Sequence, residues 1–174
     1  MQTYSRTAIL LHWLLALLII VNFALGVTMV DIPGLTPTKL QYFAWHKWLG
    51  IVVLTLTAVR FLWRLAHATP RYPIGMPAWQ EQLAGALHRL MYILMFAVPL
   101  SGYLYTTAAG VPVVLFGVLP IPALFGPDAA LKALFKTLHY ALNMGLLAGV
   151  CVHIGAALKH QFIERDNILR RMLP

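Results

Sequence analysis

Four long segments almost free of charge dominate this chain. They run over about Ala8–Val30, Tyr42–Trp63, Leu87–Thr107 and Leu138–Lys159. Each is about 20 residues, enough to cross about 30 Å of hydrocarbon at 1.5 Å per residue. Inside lipid every backbone N–H and C=O must pair within its own segment, so these spans are predicted to be helices. A soluble alternative fails on composition. Of the 174 residues 60% are hydrophobic and 10% charged, against roughly 25% charged in a soluble domain. One core of this size cannot hide that much apolar surface. The expected architecture is an all-α integral membrane protein, a four-transmembrane-helix bundle forming a single membrane domain over 1–174.

The connections differ in kind. Residues 31–41 are short and carry Pro33, Gly34 and Pro37, and residues 65–86 carry Pro70, Pro73 and Pro77. Residues 108–137 hold an apolar stretch, Val111 to Phe125, broken by Pro112, Pro120 and Pro122. It is too short and too rich in proline for a fifth crossing, and reads as a periplasmic cap segment at the interface. Arg6, Arg60, Arg64, Arg71, Arg89, Lys159, Arg165, Arg170 and Arg171 fall on one side of the membrane; Lys39, Lys47, Lys132 and Lys136 fall on the other. The positive-inside rule then expects both termini in the cytoplasm of a multi-pass inner-membrane protein. It also accounts for the net charge of +8 without nucleic acid, for which no base-stacking or phosphate-loop motif is present. The lone Cys151 sits in an apolar run as a small packing residue. No small-residue cleavage site follows the first apolar run, so that run is expected to stay as a span.

Five of the seven histidines, His12, His46, His88, His139 and His153, lie within the spans. Polar groups at membrane depth point to function. Measured from span midpoints at 1.5 Å per residue, His46 and His139 lie about 10–13 Å toward the periplasm. His12, His88 and His153 lie about 8–13 Å toward the cytoplasm. His139 and His153 are 14 residues apart, which returns to within about 40° of the same helix face and separates them by about 21 Å. One helix with two inward imidazoles so placed can serve one haem near each membrane face. Each haem needs a second imidazole from a facing helix. His46 supplies it in one layer; His12 and His88 both qualify in the other. Iron held by two histidines has no open position, which suits electron transfer. Gly50, four residues after His46, and Gly149, four before His153, remove side chains where a porphyrin would lie. Zinc would want ligands converging on one point, and a proton relay would want intramembrane carboxylates; the spans offer neither.

Taken together, these features resemble the small bacterial cytochrome b561 family. Its marks here are Tyr4-Ser5-Arg6 with His12-Trp13, His46 with Gly50, His88 running to Phe96-Ala97-Val98-Pro99, His139 with His153, and the close from Asp166-Asn167 to Met172-Leu173-Pro174. The resemblance implies four helices and two haems b, with kinship to the cytochrome b subunits of formate dehydrogenases and hydrogenases. It implies the pairs His12/His153 and His46/His139 as axial ligands, leaving His88 beside the haem or on a quinone side. A small member of the family is a superoxide oxidase, passing electrons from periplasmic superoxide to ubiquinone. Lys47 beside His46, Lys136 one turn before His139 and Lys132 a turn earlier would form a cationic mouth that steers superoxide. The resemblance gives a counterpart for Lys136 only, and Lys47 is this sequence's own. His160, His88 and Arg6 would flank ubiquinone near the cytoplasmic haem. The alternative the family allows is a cytochrome b anchor relaying electrons between a partner dehydrogenase or periplasmic redox protein and the quinone pool.

Overall fold

The computed structural model describes residues 3–73 and 75–173. Four helices account for most of them: α1 (Arg6–Asp31), α2 (Pro37–Ala66), α3 (Ala78–Ala108) and α4 (Ala129–Lys159). All four are long and apolar enough to cross a membrane. Their starts are set by local chemistry. Ser5 accepts from the N–H of Ala8 at the head of α1. Thr36 caps α2 with Pro37 in its first turn, and Asp128 accepts from Leu131 N at 2.9 Å to open α4. These side chains satisfy N–H groups that the first helical turn leaves without partners.

The helices run further than their apolar segments. Helix α2 begins at Pro37, α3 at Ala78 and α4 at Ala129, each several residues ahead of the uncharged stretch. Hydropathy marks the part that lies in hydrocarbon, whereas the helix continues while its backbone bonds and caps permit. Lys39, Gln80, Glu81, Lys132 and Lys136 sit on these extensions. Residues 113–121 depart from helix altogether. Strands β1 (Val113–Leu115) and β2 (Leu119–Ile121) pair antiparallel, with Val113 opposite Ile121 and Leu115 opposite Leu119. Phe116 and Gly117 turn the hairpin at φ 52° and 74°, the left-handed values a tight hairpin loop requires.

The up-and-down order gives the bundle two distinct ends. The hairpin end carries the α1–α2 and α3–α4 connections; the terminal end carries the first and last described residues. Trp48 Nε1 donates to Val114 O at 2.7 Å, Lys47 Nζ to Pro112 O at 3.4 Å, and Tyr103 Oη to Pro122 O, which ties the hairpin over its end. In the middle, Leu15, Val53, Leu94, Met95 and Leu146 form the buried core, flanked by Leu18, Leu56, Val98 and Leu142. Leu10, Leu17, Ile20, Ile93, Val152 and Ile154 are exposed on the outside, as expected of surfaces that meet lipid. Helix α1 packs along α2, α2 along α3 and α3 along α4. Among the described residues, α4 barely approaches α1 or α2. Side chains bridge that wider separation, in the core through Leu146 with Leu15 and Val53 and nearer the ends through the opposed histidines.

Candidate functional site: two histidine clusters

At the hairpin end, His46 of α2 faces His139 of α4. Their ring centroids are 6.2 Å apart and the planes are nearly perpendicular, at 84°. His46 Nδ1 lies 3.0 Å from the backbone oxygen of Asn22 on α1, and His139 Nδ1 lies 2.9 Å from that of Val98 on α3. A carbonyl only accepts, so Nδ1 carries the proton in both rings and Nε2 presents its lone pair. Ser101 Oγ donates to Val98 O at 2.8 Å and lies 3.1 Å from His139 Nδ1.

A second feature repeats with the first. A Cβ placed on Gly26 would come within 3.1 Å of His46 Cε1, and one on Gly102 within 2.9 Å of His139 Cε1. Gly26 lies four residues after Asn22, and Gly102 four after Val98. Each imidazole is therefore clamped by the same unit, a carbonyl on a neighbouring helix and a glycine one turn later. The carbonyl fixes the tautomer and the glycine provides room for the ring. This is the outer-shell support that orients a metal-ligating histidine. Sequence reasoning passes over Asn22, Gly26, Ser101 and Gly102, and meets Val98 only as part of the Phe96-Ala97-Val98-Pro99 run. The only trace in the sequence is a glycine in each partner span, with nothing to say which face it occupies. Gly50 and Gly149 are roomier: an added Cβ would sit 3.8 Å from Asn22 Nδ2 and 3.6 Å from Met91 Cγ, ordinary contact distances.

The terminal end gathers three imidazoles. His12 of α1 and His153 of α4 have centroids 6.2 Å apart at 76°, nearly the geometry of the other pair. His88 of α3 lies 5.4 Å from His153. Arg60 of α2 donates to Ala8 O at 2.7 Å. Arg64, one turn on, lies 5.8 Å over the Tyr92 ring. Among the described residues no carboxylate stands within ion-pair range of either guanidinium; Glu164 and Asp166 are engaged by Lys159 and His160. The buried hydroxyl of Tyr92 has no partner among the described protein groups. Two cavities open here. One, of about 830 Å³, is lined by His88, Arg64, Arg89 and Tyr92 with Phe61 and Phe96. The other, of about 490 Å³, is lined by Tyr4, Ala8, Arg60, Trp63, Arg64 and Tyr92.

The remaining expected residues are placed as follows. Lys132 and Lys136 are exposed on the first turns of α4, toward the hairpin end, whereas Lys47 is tied to the hairpin. Arg6 is exposed on the first turn of α1. His160 turns Nδ1 toward Glu164 and Asp166.

A four-helix membrane bundle with an imidazole pair near each end defines a class: membrane proteins built to hold redox groups between helices. Similarity to known proteins narrows it. The sequence matches the prokaryotic cytochrome b561 family over residues 3–174. It is 32% identical to cytochrome b561 homolog 2 of Escherichia coli, over 99% of this chain and 92% of that one. It is 31% identical to cytochrome b561 homolog 1 of the same organism, over 100% and 98%. It is 30% identical to a probable superoxide oxidase of Yersinia pestis, over 99% and 97%. The chain belongs to the prokaryotic cytochrome b561 family, a family of haem b proteins that carry electrons in bacterial membranes.

The residues present fit haem. Two imidazole nitrogens bonded to one metal at about 2.0–2.1 Å each place the ring centroids about 6 Å apart, and both facing pairs stand at 6.2 Å. The glycine cradles, the Nδ1-protonated rings and the guanidiniums without carboxylates suit a porphyrin with two acidic side chains.

Proposed function

We propose that this protein holds two haems b, one between His46 and His139 and one between His12 and His153. It would carry single electrons from superoxide at the hairpin end to ubiquinone at the terminal end. The observation that carries this reading is the pair of like imidazole couples, both at 6.2 Å, at opposite ends of a membrane bundle. Haem bound by these histidines would supply one-electron redox chemistry. The chain supplies the rest. His46 and His139 are held by backbone carbonyls so that their Nε2 atoms stay available. Arg60 and Arg64 provide positive charge for haem carboxylates at the terminal end, where an unpaired guanidinium inside a membrane would be costly. The core from Leu15 to Leu146 keeps water from between the two sites.

The direction of flow rests on charge. Lys132 and Lys136 face solvent on the hairpin side, and with Lys47 they raise the local concentration of a small anion. The positive-inside rule supports reading that side as periplasmic and both termini as cytoplasmic. The 830 Å³ cavity beside His88 combines apolar walls with a few polar groups, which is the character of a quinone slot. Arg6 and His160 lie at the same end of the bundle but are not among the residues that line this cavity. The balanced reaction is two superoxide anions and one ubiquinone with two protons, giving two dioxygen molecules and one ubiquinol. The similarity to a probable superoxide oxidase supports this choice of donor.

A relay between a partner protein and the quinone pool is the second reading. It is favoured by the hairpin, whose Phe116, Val118 and Leu119 are exposed apolar residues at a bundle end. Stopped-flow spectra of the purified, detergent-solubilised protein separate the two. Superoxide should reduce the haems rapidly and ubiquinone should reoxidise them. No reduction beyond a dismutase-treated control, in a protein with two low-spin haems, would leave the relay.

A further inference from the structure

A third group of ligating side chains gathers beyond the haem residues. Helix α4 ends at Lys159, and the next five residues, His160–Glu164, make a single wider π turn. The chain then reverses, which brings Asp166 back toward His160. As a result Glu164 Oε2 lies 2.5 Å and Asp166 Oδ2 2.6 Å from the same atom, His160 Nδ1. A ring nitrogen carries one hydrogen or one lone pair. It can donate to one of these oxygens and has nothing to offer the second at that distance. Two carboxylates converging so closely also repel, unless positive charge lies between them.

The opposite oxygens are already engaged. Glu164 Oε1 accepts from Lys159 Nζ at 2.6 Å and Gln80 Nε2 at 3.3 Å, and Asp166 Oδ1 accepts from Ile168 N at 3.1 Å. That leaves Oε2 and Oδ2 directed at a common centre with the imidazole. All three donor atoms lie within 4.8 Å of one another. The three side chains are 14%, 28% and 20% exposed, shielded yet within reach of an ion from the aqueous side.

We propose that His160, Glu164 and Asp166 form a site for a divalent transition metal, separate from both haems. One imidazole and two carboxylates suit zinc, manganese or ferrous iron; magnesium and calcium prefer all-oxygen shells. The two carboxylates neutralise the dication. Tetrahedral bonds of about 2.0–2.2 Å space donors about 3.4 Å apart, so the contacts at Nδ1 open by less than about 1 Å on binding. Water completes the shell. The ion would anchor the segment that follows, which crosses the terminal end: Trp13 Nε1 donates to Met172 O at 2.7 Å, and an Arg171 guanidinium N–H donates to Arg71 O at 2.6 Å. The metal thus straps the last residues beneath the His12 and His153 pair.

The test uses the haem-loaded, detergent-solubilised protein, stripped with a chelator and dialysed against zinc chloride or manganese chloride. Metal per chain is read by elemental mass spectrometry, and haem absorption in the same sample reports on the fold and on the haem reading separately. The expected result is about one added metal ion per chain in the native protein. Asp166→Asn and Glu164→Gln should each weaken binding at least about tenfold, with haem absorption unchanged. Native protein that takes up neither metal overturns the site, and so does equal uptake by the native protein and both variants. In either case the cluster is a hydrogen bond from His160 to one of two neighbouring carboxylates, with no ion between them. Should Asp166→Asn lose haem through misfolding, Glu164→Gln, whose carboxylate is the more exposed, decides alone.

Discussion

The two ends of the bundle present imidazoles at the same spacing but support them differently. At the hairpin end each ring is fixed twice, by a carbonyl at its Nδ1 and by a glycine against its edge, and a β-hairpin is tied over the top. At the terminal end three rings share the space, Arg60 and Arg64 meet no carboxylate among the described residues, and cavities of about 830 and 490 Å³ open beside them. Among the described residues neither His12 nor His153 has a side-chain bond to a backbone carbonyl. A closed, pre-set site suits a reaction with a small ion arriving from water. An open one suits a bulky partner that must enter from lipid. The difference lies in the supporting residues, since the ligand type is the same.

The comparison can be broken most decisively at the ligands. On the proposed ligation, His46→Ala should remove the hairpin-end haem completely, halving the haem content by pyridine haemochrome assay. His12→Ala should leave part of the terminal-end haem in place, with an altered spectrum, because His88 already stands 5.4 Å from His153. Equal loss in the two variants would mean that the third imidazole offers no substitute.

A smaller effect is expected at the clamps. In Gly102→Ala the new methyl meets His139 at 2.9 Å, an overpacking that costs about 1–3 kcal/mol. Gly149→Ala meets Met91 at an ordinary 3.6 Å, so a loss of haem absorption or stability in that variant would report the porphyrin packing expected at this glycine and not a clash with protein. Thermal unfolding followed through the haem absorption measures both. A Gly102→Ala protein as stable as the native one would show that the cradle gives way freely.

The charged residues come next. Lys132→Gln with Lys136→Gln should lower the rate of haem reduction by superoxide several-fold, up to about tenfold, and flatten its dependence on salt. Reoxidation by ubiquinone should not change. An unaltered salt dependence would remove these lysines from the entry path. The smallest shift is expected from Arg60→Gln. Loss of positive charge beside the terminal-end site disfavours the reduced form, so the potential of that haem should fall by a few tens of millivolts, where about 59 mV is tenfold for one electron. Redox titration should show the hairpin-end potential unmoved.

Much of this frame is legible in the amino-acid sequence. Four uncharged segments force helices, and counting 1.5 Å per residue sorts His46 and His139 from His12, His88 and His153, because depth along a helix is a one-dimensional property. The clamps are not legible there. Whether Gly26 faces a histidine depends on how α1 is rotated against α2, and no pattern within either segment fixes that angle. The apolar run from Val111 to Phe125 reads only as a cap of undefined form. Its hairpin turns on Phe116 in a left-handed backbone, a conformation that sequence rules assign to glycine or asparagine. The cluster at His160 is hidden for another reason: it depends on a π turn and a chain reversal, which shift Asp166 off the helical register.

The repeated carbonyl–glycine clamp has a consequence for how the protein matures. Both hairpin-end rings owe their orientation to polypeptide alone, so that site exists as soon as the helices have inserted and paired. At the terminal end, among the described residues, no backbone carbonyl holds His12 or His153 and no carboxylate meets Arg60 or Arg64, so the proposed haem there would itself supply what completes the site. On the proposed two-haem reading, the hairpin end should therefore fill first, and a chain supplied with limiting haem should carry it at that end.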